Sequence, residues 1–219
     1  MTLAVVVAAC LGGVFGFGAD RLSSRWPLHE GETVRGLDWR TAAVVLGGAG
    51  AFAALAWRWT DPVDLLVLGI YVAALIVLLA TDLDQKLLPD LITFPLMAYA
   101  LVILVLGLNP VLEGKAQVLI ADGDLAAVLA AIAAPALLAI TDRLFRGALG
   151  LGDIKLAVSL GLMFGITQLF VGFLVGTLAF AAIVLALVLS RRVSMKTAVP
   201  FGPALIAAGV VAAVIEVGS

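Results

Sequence analysis

Residues 63–81 read VDLLVLGIYVAALIVLLAT, and residues 82–90 continue as DLDQKLLPD. The first stretch is apolar apart from Asp64, and at 1.5 Å per residue it is long enough to cross a hydrocarbon layer as a helix. The second ends that run with three acids, Asp82, Asp84 and Asp90. Long apolar runs recur along the chain, at about 2–19, 41–58, 63–81, 91–108, 125–141, 154–166, 168–190 and 199–217. Gly165 and the pair Thr167-Gln168 are the only punctuation between the sixth and seventh. Pro62, after Asp61, suits the first turn of the third run, where a missing N–H costs little. Pro110 lies just past the fourth, which it cannot continue.

Composition points the same way. The chain has 219 residues, of which 63% are hydrophobic and 13% charged, and its mean hydropathy is +1.21. A soluble domain is nearer half apolar and a quarter charged. The expected fold is therefore all-α: a polytopic transmembrane helical protein of about eight spans. Residues 1–19 lack a basic start and a small-residue cleavage site, so they read as a retained first span and not a signal peptide. The net charge of -2 says little about partners, and no basic run points to nucleic acid. Cys10 is the one cysteine. It excludes an intramolecular disulfide and a Cys-cluster zinc site, and reads as a small buried apolar residue. The single histidine, His29, reads as a solvated loop side chain.

Basic residues orient the spans. Arg21, Arg25, Arg35, Arg40, Lys86, Arg143, Arg146, Lys155, Arg191, Arg192 and Lys196 fall in one set of alternating loops; Arg58 and Lys115 fall in the other. Eleven against two is a strong positive-inside bias. It makes the 20–40, 82–90, 142–153 and 191–198 loops cytoplasmic and both termini non-cytoplasmic. The chain divides into N-terminal spans with a short cytoplasmic loop at 20–40 (residues 1–62) and a membrane-embedded core (63–219).

Two acidic clusters then share the cytoplasmic side. One is TDLDQKLLPDLITFP (81–95); the other is Asp153 within GALGLGDIKLAVSLG (147–161). A carboxylate entering hydrocarbon costs roughly 2.5–3.5 kcal/mol, so retained ones face a polar interior. Two carboxylates from separate helices can share one proton, one acting as base on water and the other as acid on a carbonyl oxygen. Gly150 and Gly152 allow close backbone approach to a helix or an extended substrate. Asp153 falls at or near a helix N-terminus, which favours its ionised form and leaves Asp82 the proton-bearing half. Simpler readings stand beside these: an N-cap turn at Asp153, a snorkelling Lys155, and an Asp82–Lys86 surface ion pair.

Three blocks of this sequence resemble the type IV prepilin peptidases, membrane aspartyl proteases of the Gly-x-Gly-Asp type. They are Asp82-Leu83-Asp84-Gln85-Lys86-Leu87-Leu88-Pro89-Asp90, Gly150-Leu151-Gly152-Asp153-Ile154-Lys155-Leu156 and Pro200-Phe201-Gly202-Pro203. The resemblance covers about residues 63–210, and it implies an aspartyl peptidase core with Asp82 and Asp153 as the catalytic pair. Asp84 would be a surface acid or a substrate contact. Pro89-Asp90 would stop one helix and cap the next. Lys155 would be a site-shaping cation, and Pro200, Phe201, Gly202 and Pro203 would line the site from the last span or simply start it. The implied partners are the lipid bilayer and prepilin or pseudopilin precursors, each with a basic leader and a hydrophobic helix. The implied location is the inner (cytoplasmic) membrane, with the site facing the cytoplasm.

The loop DRLSSRWPLHEGETVRGLDWR (20–40) has no cysteine, unlike the Cys-x-x-Cys loop of many bacterial members. Proteolysis by an Asp pair needs no metal and no cofactor. S-adenosylmethionine would be bound only if a second, N-methyltransferase activity is retained. From a different class, the paired acids would suit an ion-coupled transporter, although such sites lie near the bilayer midplane.

Overall fold

In a computed structural model of the chain, residues 2–26, 35–112, 123–144, 150–189 and 201–215 are described. All secondary structure among them is helical: α1 (Thr2–Ser23), α2 (Trp39–Arg58), α3 (Pro62–Gln85), α4 (Asp90–Val105), α5 (Gly123–Leu144), α6 (Leu151–Leu189) and α7 (Gly202–Val214). Five of these, α1, α2, α3, α5 and the Leu151–Ala182 part of α6, are long and apolar enough to cross a membrane; α4 and α7 are shorter. The chain is a polytopic helical membrane protein.

Local chemistry sets several boundaries. Asp61 accepts the N–H groups of Val63 (2.8 Å) and Asp64 (3.3 Å), with Pro62 in the first turn of α3 as expected. Asp38 and Thr41 form a reciprocal capping box at the start of α2. At its other end α3 stops on Lys86, whose φ of 55° is left-handed, a conformation costing a non-glycine residue about 1 kcal/mol. One expectation is corrected and another is borne out. The fourth helix ends at Val105, and Gly107 at φ 64° turns the chain before Pro110 is reached. The sixth and seventh runs are two helical parts of α6 that meet at a break at Gly165 (φ 66°, ψ −178°), the punctuation visible in the sequence. That backbone region is open essentially to glycine alone.

Helix α3 organises the bundle. It packs on α1, α2, α4 and α7, while α6 packs on α4, α5 and α7. Tyr71 joins α3 to α6: its hydroxyl lies 2.9 Å from the Ser159 hydroxyl, and its ring stands edge-on to Phe164 at 5.6 Å. Helix pairs approach closely at glycines, α1 to α2 at Gly12 and Gly48 and α6 to α5 at Gly161, as small residues allow in membrane bundles. The outer faces carry exposed Leu3, Val14, Leu46, Trp57, Leu66 and Ile132, the surface expected against lipid. Cys10 is also exposed, which corrects the expectation of burial: α1 lies at the rim and turns that side outward.

Candidate active site

Asp82 stands in the last turn of α3 and Asp153 is the third residue of α6; both are buried, at 4% and 8% exposure. The start of α6 explains Asp153. Its Oδ2 accepts the Gly150 N–H at 3.1 Å, and its own N–H donates to the Gly150 carbonyl at 3.1 Å. Asp153 is therefore not the capping residue; it reaches back to the cap from inside the first turn. One carboxylate oxygen is spent on the helix end. The other, Oδ1, is buried without a hydrogen-bond partner among the described residues, and so is Asp82 Oδ2. Buried polar atoms are nearly always paired, so two orphaned carboxylate oxygens call for a reason.

Two glycines let neighbouring backbone pack closely around these acids. A Cβ on Gly202, the first residue of α7, would lie 2.6 Å from Asp82 Oδ2 and 2.7 Å from its Cγ. The backbone of α7 thus sits directly on the carboxylate. A Cβ on Gly152 would lie 2.8 Å from Leu88 Cβ and 3.3 Å from the Leu88 carbonyl oxygen. The clearance at Gly152 is filled by Leu88 of the 86–89 linker, so this glycine lets the linker pack against the start of α6. A Cβ on Gly150 would meet Asp153 Oδ2 at 3.4 Å and the Gly152 backbone nitrogen at 3.9 Å.

Lys155 and Asp90 meet across the same linker. Lys155 Nζ lies 2.6 Å from Asp90 Oδ1 and 4.8 Å from the Phe94 ring centroid. The cation ties the first turn of α6 to the first turn of α4. The residue before α4 is Pro89, with no side-chain cap, and Asp90 is the first helical residue; the expectation of Asp90 as cap is corrected. Asp82 and Lys86 are joined through the backbone, Lys86 N–H to the Asp82 carbonyl at 2.9 Å.

Asp84 goes elsewhere. Its side chain is 2% exposed and takes Arg35 Nε at 2.7 Å and Arg40 Nη1 at 3.2 Å. It is not a surface acid, because two arginines pair with it on the side of α3 away from Asp82. Phe201 precedes α7, with its ring 6.2 Å from that of Phe173, and Pro203 is buried in the first turn of α7. Pro200, His29, Lys115, Arg146 and the 191–198 loop lie outside the described residues.

Sequence reasoning missed the partners of Asp84. Asp20 is fully buried, paired with Arg21 and Arg35 and accepting the Thr41 hydroxyl at 2.9 Å. The visible signal was an acid directly preceding Arg21 at a span end. Burial works against the charge of Arg35, but the Asp20 hydrogen bond and the charges of Asp20, Asp84 and Asp38 outweigh it, and the guanidinium holds its proton beyond the usual arginine range.

Residues 69–188, from within α3 to the end of α6, match the family model described as the type IV leader peptidase family. This stretch includes both Asp82 and Asp153. The chain is similar to the prepilin leader peptidase/N-methyltransferase of Bacillus subtilis (strain 168), at 30% identity over 78% of this chain and 64% of that protein. It is similar also to proteins of that name from Aeromonas hydrophila (31% identity) and Aeromonas salmonicida strain A449 (32%), each over 87% of this chain and 58% of the relative. The chain thus spans about three fifths of the length of these relatives. No solved structure matches it. A model match over more than half the chain, with two orphaned acids inside it, leads to one assignment: the chain belongs to the type IV leader peptidase family.

Proposed function

We propose that the chain is an intramembrane aspartyl endopeptidase that removes the basic leader from type IV prepilin or pseudopilin-like precursors. The observation that carries this reading is the pair of buried carboxylate oxygens, on Asp82 at the end of α3 and Asp153 at the start of α6, that have no hydrogen-bond partner among the described residues. A water between them would be deprotonated by Asp153 as its oxygen attacks the scissile carbonyl carbon, while Asp82 gives its proton to the carbonyl oxygen. The tetrahedral diol then collapses: Asp153 hands the proton to the leaving nitrogen, the C–N bond breaks, and Asp82 recovers a proton from the diol. Asp153 is the ionised half in this scheme because the Gly150 N–H already donates to it. The two acids titrate as a unit.

The cytoplasmic face of the inner membrane is the proposed side of the site, with both termini on the other side. The eleven-to-two distribution of basic residues supports it. An ion-coupled transport site is disfavoured by position, since Asp82 lies in the last turn of its helix and Asp153 in the first turn of its own.

The relatives' names also carry N-methylation, which would require S-adenosylmethionine. Two cavities among the described residues are lined by apolar side chains. One, of about 200 Å³, lies between α5, α6 and α7 against Ala134, Leu138, Ala157 and Phe173; the other, of about 450 Å³, lies against Phe15, Phe52, Leu66 and Ile70. Both are lined by apolar residues and do not fit a charged nucleoside, so no step is derived through it.

Co-expression with an epitope-tagged prepilin tests the peptidase reading. Leader removal should appear as a gel shift with the wild-type chain, and Asp82→Asn and Asp153→Asn should each abolish it. Full cleavage by either variant would refute the dyad. Mass spectrometry of the mature N-terminus decides methylation separately.

A further inference from the structure

The last turn of α3 carries two acids with opposite fates. At 100° per residue, positions 82 and 84 point about 200° apart. Asp82 faces α6 and α7, and Asp84 faces the α1–α2 side. There Asp84 meets Arg35 and Arg40, and Arg35 continues to Asp20 Oδ1 at 2.5 Å and to Asp38. Arg21 Nε donates to Asp20 at 3.0 Å and Arg21 Nη1 to the Arg35 carbonyl at 3.1 Å. Gln85, the final residue of α3, donates from Nε2 to the Ser23 carbonyl at 3.1 Å. Three aspartates face three arginines, so the cluster is balanced in charge.

We propose that Arg35, assisted by Arg40, is a positioning residue for the peptidase site: through Asp84 it fixes the last turn of α3 and so the carboxylate of Asp82. The inference rests on the peptidase reading for its catalytic consequence. Its physical basis is that a terminal helical turn frays unless tethered, and α3 ends immediately afterwards on the left-handed Lys86. A buried ion cluster adds little net stability over packed apolar side chains; here it supplies fixed geometry. Fixed geometry is what Asp82 needs, since the Gly202 backbone leaves it no slack on the other side. Asp84 sits two residues beyond Asp82, so a shift in one is passed directly to the other.

The test uses the full chain in detergent with a tagged prepilin. Arg35→Gln should lower kcat about 10-fold or more, as displacements of up to an ångström do, with KM within twofold. Asp84→Asn should give a comparable loss of kcat, and the double variant should lose no more than the larger single loss, because both substitutions remove one tether. Arg58→Gln, at the far end of α2, should leave kcat unchanged. Amide hydrogen exchange at residues 82–86 should speed up in Arg35→Gln and not in Arg58→Gln; this reads the tether without any substrate. If the wild type fails to cleave, the peptidase reading falls while the exchange result still judges the tether. Unchanged exchange and unchanged kcat in Arg35→Gln would overturn the proposal, as would a double variant whose loss is the product of the two single losses.

Discussion

Gly202→Ala asks whether α7 rests on Asp82. The added Cβ would lie 2.6, 2.7 and 3.0 Å from Asp82 Oδ2, Cγ and Oδ1, against about 3.5 Å or more for comfortable contact between heavy atoms. Relief requires a shift of roughly 0.5–1 Å by the carboxylate or by the start of α7. A misplacement of that size costs on the order of 100-fold in rate, about 2.7 kcal/mol of barrier at 1.36 kcal/mol per tenfold. The fold should survive, because Gly202 is not among the left-handed glycines and alanine is the better helix former by about 1 kcal/mol. The assay is steady-state leader removal from a purified prepilin in detergent, alongside thermal unfolding. The expected result is a kcat about 100-fold lower with an unchanged midpoint. A Gly202→Ala enzyme within twofold of wild type would refute the placement of α7 on Asp82.

Further outcomes are expected from the same structure. Gly152→Ala should drive the 86–89 linker off α6 and cut kcat about 10-fold; Gly150→Ala, with a nearest contact of 3.4 Å, should cost clearly less, and equal losses would contradict the packing role of Gly152. Lys155→Met should change unfolding stability by less than about 1 kcal/mol, since the pair with Asp90 is partly exposed and such pairs contribute little; a larger loss would mean that the pair is more than a surface tie. Asp61→Ala removes the cap of α3 and should cost about 1 kcal/mol of stability with kcat untouched, because the cap lies at the end of α3 away from Asp82.

What the sequence disclosed, and what it withheld, follows the range of the interactions. Apolar runs and punctuation are local, so the helices, the Pro62 start and the importance of Gly165 were legible. The end of α4 was not, because the glycine at 107 acts through a backbone angle that Pro110 only mimics in sequence. Lys155 read ambiguously for the same reason that Asp84 read wrongly. Their partners are Asp90, 65 residues away in the chain, and Arg35 and Arg40, more than 40 residues away, and spacing does not encode who pairs across a bundle. Gly202 stood out as part of a block, but only the packed chain shows a carboxylate occupying the space its side chain would need.

The central claim is that Asp82 and Asp153 act as one unit, and the most direct measurement is single-turnover cleavage of prepilin by Asp82→Asn, Asp153→Asn and the double variant. Residues that act together are grossly non-additive. Each single substitution is therefore expected to reduce the rate nearly to that of the double. A single variant cleaving at the wild-type rate, or a double variant whose loss is the product of two partial losses, would contradict the account.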